Sequence, residues 1–307
     1  MRRTKIIVGS RGSKLAMIQA ESVAAKIREV NPHLEISLSK IVTKGDRNRH
    51  TQLGQVASVG VFVKELEEAL LDNRIDIAVH SLKDVPTDIP LDLRLLVVTE
   101  RLDPRDVLAS KSRLDELTPG SKIGTGSLRR AVQLSQYRPD LEVSSIRGNV
   151  DTRLRKVSSG EVDGVIVAAA ALLRLGWGDK ITEYLPLEHF LPAVGQGALV
   201  IETRLDDEEV AALVSPINHL LTWQSVMAER AFLSALGGGC HAPIAALGTI
   251  NGTTLKLAGM VVGASSRKIL YAAEEGSITS PEDVGVRLAQ KILEMGASEL
   301  IAEVRNK

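Results

Sequence analysis

Residues 74–86 carry the sequence Arg-Ile-Asp-Ile-Ala-Val-His-Ser-Leu-Lys-Asp-Val-Pro, a short apolar strand signal that continues directly into a polar turn. Upstream of it, apolar residues recur at spacings of three and four, which places them on one face of a helix. These residues are Ala16, Ala20, Val23, Ile27 and Val30. Because strands separated by helices form βαβ units, the pattern predicts an α/β fold with a largely parallel sheet.

The middle of the chain repeats this plan. Residues 161–167, Glu-Val-Asp-Gly-Val-Ile-Val, echo residues 74–79. A strand signal at 122–125 enters a Gly/Ser turn, as the strand signal at 5–8 does, and a helix is predicted over 128–136. The repeat predicts two similar α/β domains, and chance similarity of two βα units is the alternative.

The pattern changes from about Thr222 onward. A helical stretch over 228–236 leads into a glycine run, and strand signals at 255–262 and 268–273 are joined by a short polar loop, which predicts a hairpin. A last helix is predicted to begin near Pro281, with its apolar face at Val284, Leu288 and Ile292. This part of the chain is expected to be a third, smaller α+β domain.

Composition excludes several classes of protein. The 307 residues are 44% hydrophobic and 25% charged, as in an ordinary globular protein and unlike a disordered chain, a collagen or a coiled coil. The 38 basic and 38 acidic residues balance, which argues against a general nucleic-acid binder. Cys240 is the single cysteine, so no intramolecular disulfide can form. The longest apolar run, 165–173, is too short to cross a bilayer, and we expect a soluble, cytoplasmic protein.

Arginines near the Gly/Ser turns indicate an anionic small molecule. Residues 121–156 contain eight basic and three acidic residues, although the whole chain is neutral. Cations at the start of a helix oppose its dipole unless an anion lies there, so Arg129 and Arg130 favour a polyanionic ligand over a solvated charged surface. Neither turn has the glycine pattern of a dinucleotide site or a P-loop, so nucleotide binding is not predicted.

Two further residues are candidates for chemistry. Asp84 follows a strand beside Lys83, where an ionised carboxylate can stabilise a cation or transfer a proton; the alternative is an ordinary turn aspartate. Cys240 lies in Gly-Gly-Gly-Cys-His, which suits a displayed thiol that attacks or anchors a group; the alternative is a small buried side chain. The histidines show no metal-ligand spacing, so no metal site is predicted.

Nine stretches occur together in one order along nearly the whole chain, and the set resembles the porphobilinogen deaminase (hydroxymethylbilane synthase) family. Each stretch alone is a weak signal, whereas the ordered set is specific. The stretches are residues 43–46, 62–66, 76–86, 103–106, 124–130, 147–154, 191–197, 228–230 and 238–240.

The resemblance implies a three-domain architecture. Two α/β domains would be like the lobes of type II periplasmic binding proteins, with the active-site cleft between them. Domain 1 would comprise residues 1–98 with a return segment over 198–215, and domain 2 residues 103–192. Domain 3, residues 220–307, would be α+β and would present the cysteine on a loop.

The resemblance also implies the reaction. Cys240 would hold a dipyrromethane cofactor through a thioether, as a primer. Four porphobilinogen molecules, each losing ammonia, would be joined head to tail onto it, and water would release the linear tetrapyrrole hydroxymethylbilane. The implied partners are this small-molecule substrate and uroporphyrinogen III synthase as the recipient of the product, with neither nucleic acid nor membrane. The expected oligomeric state is a monomer.

Carried over residue by residue, the resemblance makes Asp84 the catalytic group. The positions that match cofactor contacts are Ser81, Lys83, Thr125, Ser127, Arg129, Arg130 and Arg153. The positions that match contacts to substrate or the growing chain are Arg11, Ser13, Gln19, Arg147 and Arg174.

The sequence departs from the family pattern at three positions. Gln55 and Val59 stand where many relatives carry lysines, and Gly126 replaces a common serine. Because these changes remove two charges and a hydroxyl donor, we expect modestly weaker substrate binding. Two other functions stay open on the residues alone. One is a non-catalytic two-lobed binding protein, and the other is a transferase that uses Cys240 as nucleophile and His241 as base.

Overall fold

A computed structural model describes residues 3–42, 63–237, 243–263 and 266–305 of the chain. The chain divides into two compact units. The first contains Met1–Arg101 and Ala198–Gln224, and the second contains Leu102–Gly197 and Ser225–Lys307. Within the described residues, no helix is both long and apolar enough to span a membrane.

The first unit is built on a five-stranded sheet with the order β2-β1-β3-β10-β4. Strand β1 pairs in parallel with β2 and β3, whereas β10 runs antiparallel to β3 and β4. The predicted apolar face of α1 is confirmed at Ala20, Val23 and Ile27, which are buried in the core of this unit. It does not extend to Val30, which is exposed because the helix ends there. The elements are β1 (Lys5–Arg11), α1 (Lys14–Val30), β2 (Glu35–Ile41), α2 (Lys64–Leu71), β3 (Ile77–Ser81), β4 (Leu93–Val98), β10 (Leu199–Arg204) and α6 (Glu208–Val214).

The second unit contains another five-stranded sheet, with the order β7-β6-β8-β5-β9. Strand β6 pairs in parallel with β7 and β8, whereas β5 runs antiparallel to β8 and β9. The elements are β5 (Asp106–Ser110), β6 (Lys122–Thr125), α3 (Leu128–Tyr137), β7 (Glu142–Ser145), α4 (Val150–Ser158), β8 (Gly164–Ala168), α5 (Ala169–Arg174) and β9 (Glu183–Tyr184).

The two sheets share one topology. In each, three parallel strands are followed by one antiparallel strand, which is β10 in the first sheet and β5 in the second. This arrangement confirms the predicted pair of similar α/β domains. Because parallel strands point their carboxyl ends to one edge, each sheet gathers the turns that follow its strands at that edge.

A smaller α+β domain completes the second unit, as predicted. Its antiparallel sheet has the order β11-β12-β13, and one face of it packs against α7 and α8 through Phe232, Leu257 and Leu288. The opposite face packs against Val132 and Leu191 of the neighbouring α/β domain. The elements are α7 (Leu220–Ala235), whose first residues up to Gln224 are counted in the first unit, β11 (Ile244–Asn251), β12 (Thr254–Val262), β13 (Ile269–Ser277), α8 (Pro281–Glu294) and α9 (Ala297–Arg305).

Two details of this domain differ from the prediction. The helix that begins at Pro281 is not the last one, because α9 follows after Gly296, whose φ of +97° ends the first helix. Strand β11 was not predicted, although its apolar residues begin directly after Pro243, and four residues separate them from the glycine run. The domain boundaries given above, at residues 98, 103, 192, 198, 215 and 220, stay predictions.

Candidate active site

Asp84 lies in a short turn that follows strand β3. The strand ends at Ser81, and Leu82–Asp84 form one turn of 3-10 helix. The turn is fixed to the sheet because the Leu82 amide donates a hydrogen bond to the Ala198 carbonyl oxygen, at 3.1 Å. The Asp84 carboxylate is half-buried and accepts no hydrogen bond from any residue in the described ranges. It is therefore available to a ligand.

Ser81 and Gln19 are brought together beside this turn. Gln19 Nε2 donates to Ser81 Oγ at 2.9 Å, and Ser81 Oγ approaches Gln19 Oε1 at 3.3 Å. Ser13 caps helix α1, since its Oγ accepts a hydrogen bond from the Ala16 amide at 3.2 Å. Arg11 is the last residue of β1. Strands β1 and β3 are adjacent and parallel, so these residues belong to the same edge of the first sheet as Asp84.

At the equivalent edge of the second sheet, helices α3 and α4 begin without side-chain caps. Strand β6 ends at Thr125, whose Oγ1 accepts a hydrogen bond from the Ser127 amide at 3.2 Å. Ser127 and Asn149 are the N-cap residues of α3 and α4, and neither side chain caps its helix. Amides left open at a helix N-terminus favour an anion, and the Ser127 hydroxyl can contribute to its binding.

Arg153 and Arg174 are half-buried cations with no carboxylate partner among the described residues. Arg153 Nε donates to the Gly148 carbonyl oxygen at 2.9 Å, and Arg174 Nη2 donates to the Gly197 carbonyl oxygen at 2.7 Å. Burial lowers the pKa of Arg174 to about 10, and burial together with the charge of Arg130 lowers the pKa of Arg153. Cations held in this way favour a carboxylate ligand, which would supply the missing charge.

Arg129 and Arg130 are paired inside the protein. Arg129 Nη1 donates to Asp106 Oδ2 and Arg130 Nη2 to Asp106 Oδ1, both at 2.7 Å, and all three side chains are buried. Burial alone would raise the pKa of Asp106, but the two guanidinium groups outweigh it and hold that pKa well below its usual range. The inference that Arg129 and Arg130 need a ligand as their anion was wrong, because Asp106 is their anion. Asp106 lies outside residues 121–156, over which the charges were counted. Their predicted contact with a cofactor stays a prediction.

The remaining predicted site residues are placed as follows. Lys83 is half-buried in the Asp84 turn. Arg147 is exposed immediately before Gly148, which has a φ of +106°. Cys240 and His241, and the two departures Gln55 and Val59, lie outside the described residues. Among the residues described, no group of histidines, aspartates and glutamates could hold a metal ion.

Four buried polar side chains in or beside the two sheets that carry the candidate site were not identified from the sequence. His80 Nε2 lies 3.0 Å from Glu202 Oε2, and Gln196 Nε2 donates to Asp106 Oδ1 at 2.8 Å. A charged residue next to or within an apolar strand pattern could have indicated a buried charge. Glu202 lies in Leu-Val-Ile-Glu-Thr, and Asp106 precedes Val-Leu-Ala. Such a signal marks a buried charge without naming its partner.

Family models match most of the chain. Residues 6–212 match the model described as "Porphobilinogen deaminase, dipyromethane cofactor binding domain", and residues 223–294 match "Porphobilinogen deaminase, C-terminal domain". A relative named porphobilinogen deaminase from Bacillus subtilis is 47% identical over 100% of this chain and 98% of its own. Relatives of the same name from Geobacter metallireducens and Syntrophus aciditrophicus are 47% and 43% identical, each over 97% of this chain and over 94% and 98% of their own.

Solved structures of solute-binding proteins are more distant. The methionine binding protein MetQ aligns with a TM-score of 0.44 at 15% identity, over 72% of this chain and 91% of its own.

Proposed function

The chain belongs to the porphobilinogen deaminase family, and we propose that Asp84 is its catalytic carboxylate. The enzyme is a transferase of the tetrapyrrole pathway, and residues 6–212 include its dipyrromethane cofactor binding domain. It condenses four porphobilinogen molecules head to tail onto that primer and releases hydroxymethylbilane. The observation that carries the assignment of Asp84 is its half-buried carboxylate, which has no partner in the described part of the chain.

The charge that Asp84 would stabilise arises on the substrate. Loss of ammonia from porphobilinogen leaves positive charge on the pyrrole nitrogen, and carbon–carbon bond formation places positive charge there again until a proton leaves. A fixed carboxylate stabilises that charge most when it is already oriented, because no reorganisation is then needed. The turn that carries Asp84 meets this requirement through the hydrogen bond from Leu82 to Ala198.

The residues at the edge of the second sheet fit a dipyrromethane. Each ring of this group carries carboxylate side chains. Arg153 offers a cation that has no carboxylate partner within the described ranges, Thr125 offers a hydroxyl, and Ser127 begins a helix that its side chain does not cap. Ser81, Lys83, Arg129 and Arg130 complete the proposed set, and Cys240 would form the thioether. When bound, the dipyrromethane supplies the pyrrole ring to which the first porphobilinogen is joined.

The remaining proposed residues would bind the carboxylates of the incoming substrate and the growing chain. In the described part of the chain, the Arg174 guanidinium has one partner, a carbonyl oxygen, so most of its donors stay available for a carboxylate. Gln19 keeps a second N–H beyond the one given to Ser81, and the Ser13 hydroxyl can donate while its oxygen caps α1. Arg11 and Arg147 would add positive charge to the two sheet edges.

The test is the turnover of Asp84→Ala, with Asp88→Ala as a matched control. Asp88 is an exposed aspartate four residues farther along the chain, so its loss removes the same charge. We expect Asp84→Ala to keep its fold and to lose about 100-fold or more in turnover, as when a group that stabilises transition-state charge is removed. Near-wild-type turnover in Asp84→Ala would remove this residue from the mechanism.

We also propose that the enzyme is a cytoplasmic monomer that hands its product to uroporphyrinogen III synthase. The single cysteine supports a reducing compartment, and the linear product supports a consumer that closes a ring. Light scattering should give a mass near 33.0 kDa for a monomer, and a mass twice as large would contradict that part of the proposal.

A further inference from the structure

Two buried ionisable side chains form a pair in the first α/β domain, directly behind the residues proposed for catalysis. His80 is 5% exposed and Glu202 is fully buried, and His80 Nε2 lies 3.0 Å from Glu202 Oε2. They come from β3 and β10, which pair antiparallel with Ala78 opposite Glu202. Because alternate residues of a strand share a face, Ala78, His80 and Glu202 lie on the same face of the sheet.

The chemistry of the pair assigns the hydrogen that lies between its two members. Because a carboxylate only accepts hydrogen bonds, we assign this hydrogen to Nε2 of His80, the tautomer that donates to Glu202 Oε2. The other oxygen, Oε1, is also buried and accepts no hydrogen bond within the described residues. A buried carboxylate that has one incomplete oxygen is costly for folding, so its presence needs a reason other than stability.

The contact between His80 and Glu202 restrains one face of the end of β3, the strand that leads into the Asp84 turn. His80 is followed directly by Ser81, whose side chain points to the opposite face, where it contacts Gln19 of α1. The face of His80 is the one that α2 covers, since Ala78 packs there with Leu66 and Leu70. The last two residues of β3 are therefore fixed from both sides, by Gln19 on one and by Glu202 on the other.

We propose that His80 and Glu202 are positioning residues, which fix the end of β3 and thereby orient the turn that presents Asp84 to the substrate. Neither residue would touch the reacting atoms. The inference rests on the proposed role of Asp84. It predicts that the donor at position 80 matters for turnover more than the size or polarity of the side chain does.

Two substitutions of His80 separate positioning from filling of the core. His80→Gln keeps an amide N–H that can reach Glu202, whereas His80→Leu keeps a comparable volume without a donor. For holoenzyme of confirmed mass, we expect the leucine variant to lose about 10-fold or more in kcat with KM within about twofold, as a small misplacement of a catalytic group would cause. The glutamine variant should stay within about threefold of wild type, because it retains the donor. Equal kcat values for the two variants would overturn the inference.

His80→Leu could fail to fold because Glu202 is left without its donor. A double variant then tests the positioning role. In His80→Leu with Glu202→Leu both polar partners are removed together, so no unpaired charge is buried and the protein should fold. A stable double variant with the same loss of kcat supports positioning, and a stable double variant with wild-type kcat overturns it.

The two proposals can fail separately. If Asp84→Ala retains turnover, the proposed function of that residue fails. If Asp84→Ala is inactive while the leucine variants at positions 80 and 202 turn over at the wild-type rate, only the positioning inference fails.

Discussion

Each α/β domain has a fully buried carboxylate on the fourth strand of its sheet. The two domains neutralise the charge of this carboxylate with different partners. Strand β10 of the first domain carries Glu202, and strand β5 of the second carries Asp106; both side chains have no exposed surface. Among the described residues, Glu202 has one partner, His80, and its Oε1 has no hydrogen-bond donor. Asp106 accepts hydrogen bonds from Arg129 and Arg130 and from the Gln196 amide.

The difference shows that the strand order determines where a buried charge lies. The residues that pair with the charge determine whether it depends on pH. Two arginines stay charged at any working pH, so the Asp106 cluster is a permanent part of the second domain. In the first domain, burial and the charge of Glu202 raise the pKa of the nearby Glu67 to about 7, so the charge of this cluster changes with pH. The sheet edges also differ, since the first carries Asp84, the proposed catalytic carboxylate, and the second carries Arg153, which we propose binds a ligand carboxylate.

The largest expected effect comes from breaking the cluster of the second domain. Asp106→Ala leaves two buried guanidinium groups without an anion, and we expect the free energy of unfolding to fall by about 3–5 kcal/mol. Because the pKa of Asp106 is held below its usual range in the folded state, this stability is present above the ordinary aspartate pKa and is lost as pH falls. Urea unfolding at pH 7 and pH 3 measures both effects.

A matched control for this prediction is Asp115→Ala. Asp115 forms an exposed pair with Arg113 at 3.6 Å, so its removal should change the free energy of unfolding by less than about 1 kcal/mol. Equal destabilisation by the two substitutions would show that the buried cluster has no special weight.

A smaller effect of the opposite sign is expected at Glu67 in the first domain. Burial, and then the charge of Glu202, raise the pKa of Glu67 from an ordinary 4.5 to about 7, whereas His80 opposes the shift. Because the raised pKa favours the protonated form in the folded state, stability falls as pH rises from 4.5 to 7 and stays lower above it. Glu67→Gln should therefore raise the free energy of unfolding at pH 8 by about 1 kcal/mol, a value reduced for solvent screening at this half-buried site.

The same substitution should give no gain at pH 4.5, where the wild-type carboxyl is protonated in the folded state. Glu68→Gln is the control, since Glu68 is the exposed neighbour on the same helix and its loss changes the net charge equally. A gain that is independent of pH, or one that Glu68→Gln reproduces, would contradict the account of the first domain's cluster.

The smallest effect concerns Gly126, one of the three positions at which the sequence analysis noted a departure from the family pattern. A Cβ at this position would lie 2.7 Å from the Ile146 carbonyl oxygen, so the backbone here leaves no room for a side chain. Gly126→Ser should lower the free energy of unfolding by about 1 kcal/mol and should not lower KM, although it restores a hydroxyl. Gly178→Ser is the control, because the nearest atom to its Cβ would be 3.7 Å away. A lower KM in Gly126→Ser would show that the missing hydroxyl limits substrate binding.

The sequence predicted the parts of this molecule that depend on local pattern. The spacing of Ala20, Val23 and Ile27 predicted the buried face of α1, and the strand-to-turn pattern at residues 74–86 predicted where Asp84 lies. The short terminal helix α9 escaped prediction because it follows Gly296 without a capping signal of its own. The local pattern therefore located the predicted helices and turns correctly but did not predict every helix and strand.

Long-range pairing is what the sequence could not supply. Arg129 and Arg130 looked like cations in need of a ligand, because Asp106 lies 23 and 24 residues away along the chain. Glu202 meets His80 across 122 residues, and nothing local indicates that contact. Buried charges acquire their partners from strand order, so the sequence showed where charge is concentrated and left open which charges neutralise one another.

The most direct test of a covalent primer on Cys240, extended by one substrate at a time, is the intact mass of the purified enzyme before and after incubation with porphobilinogen. The account predicts an initial added mass of two linked pyrrole units, further increments of one unit each after incubation, and the bare chain mass for Cys240→Ser in both samples. A wild-type protein that never gains mass, or a Cys240→Ser variant that gains the same mass, would contradict it.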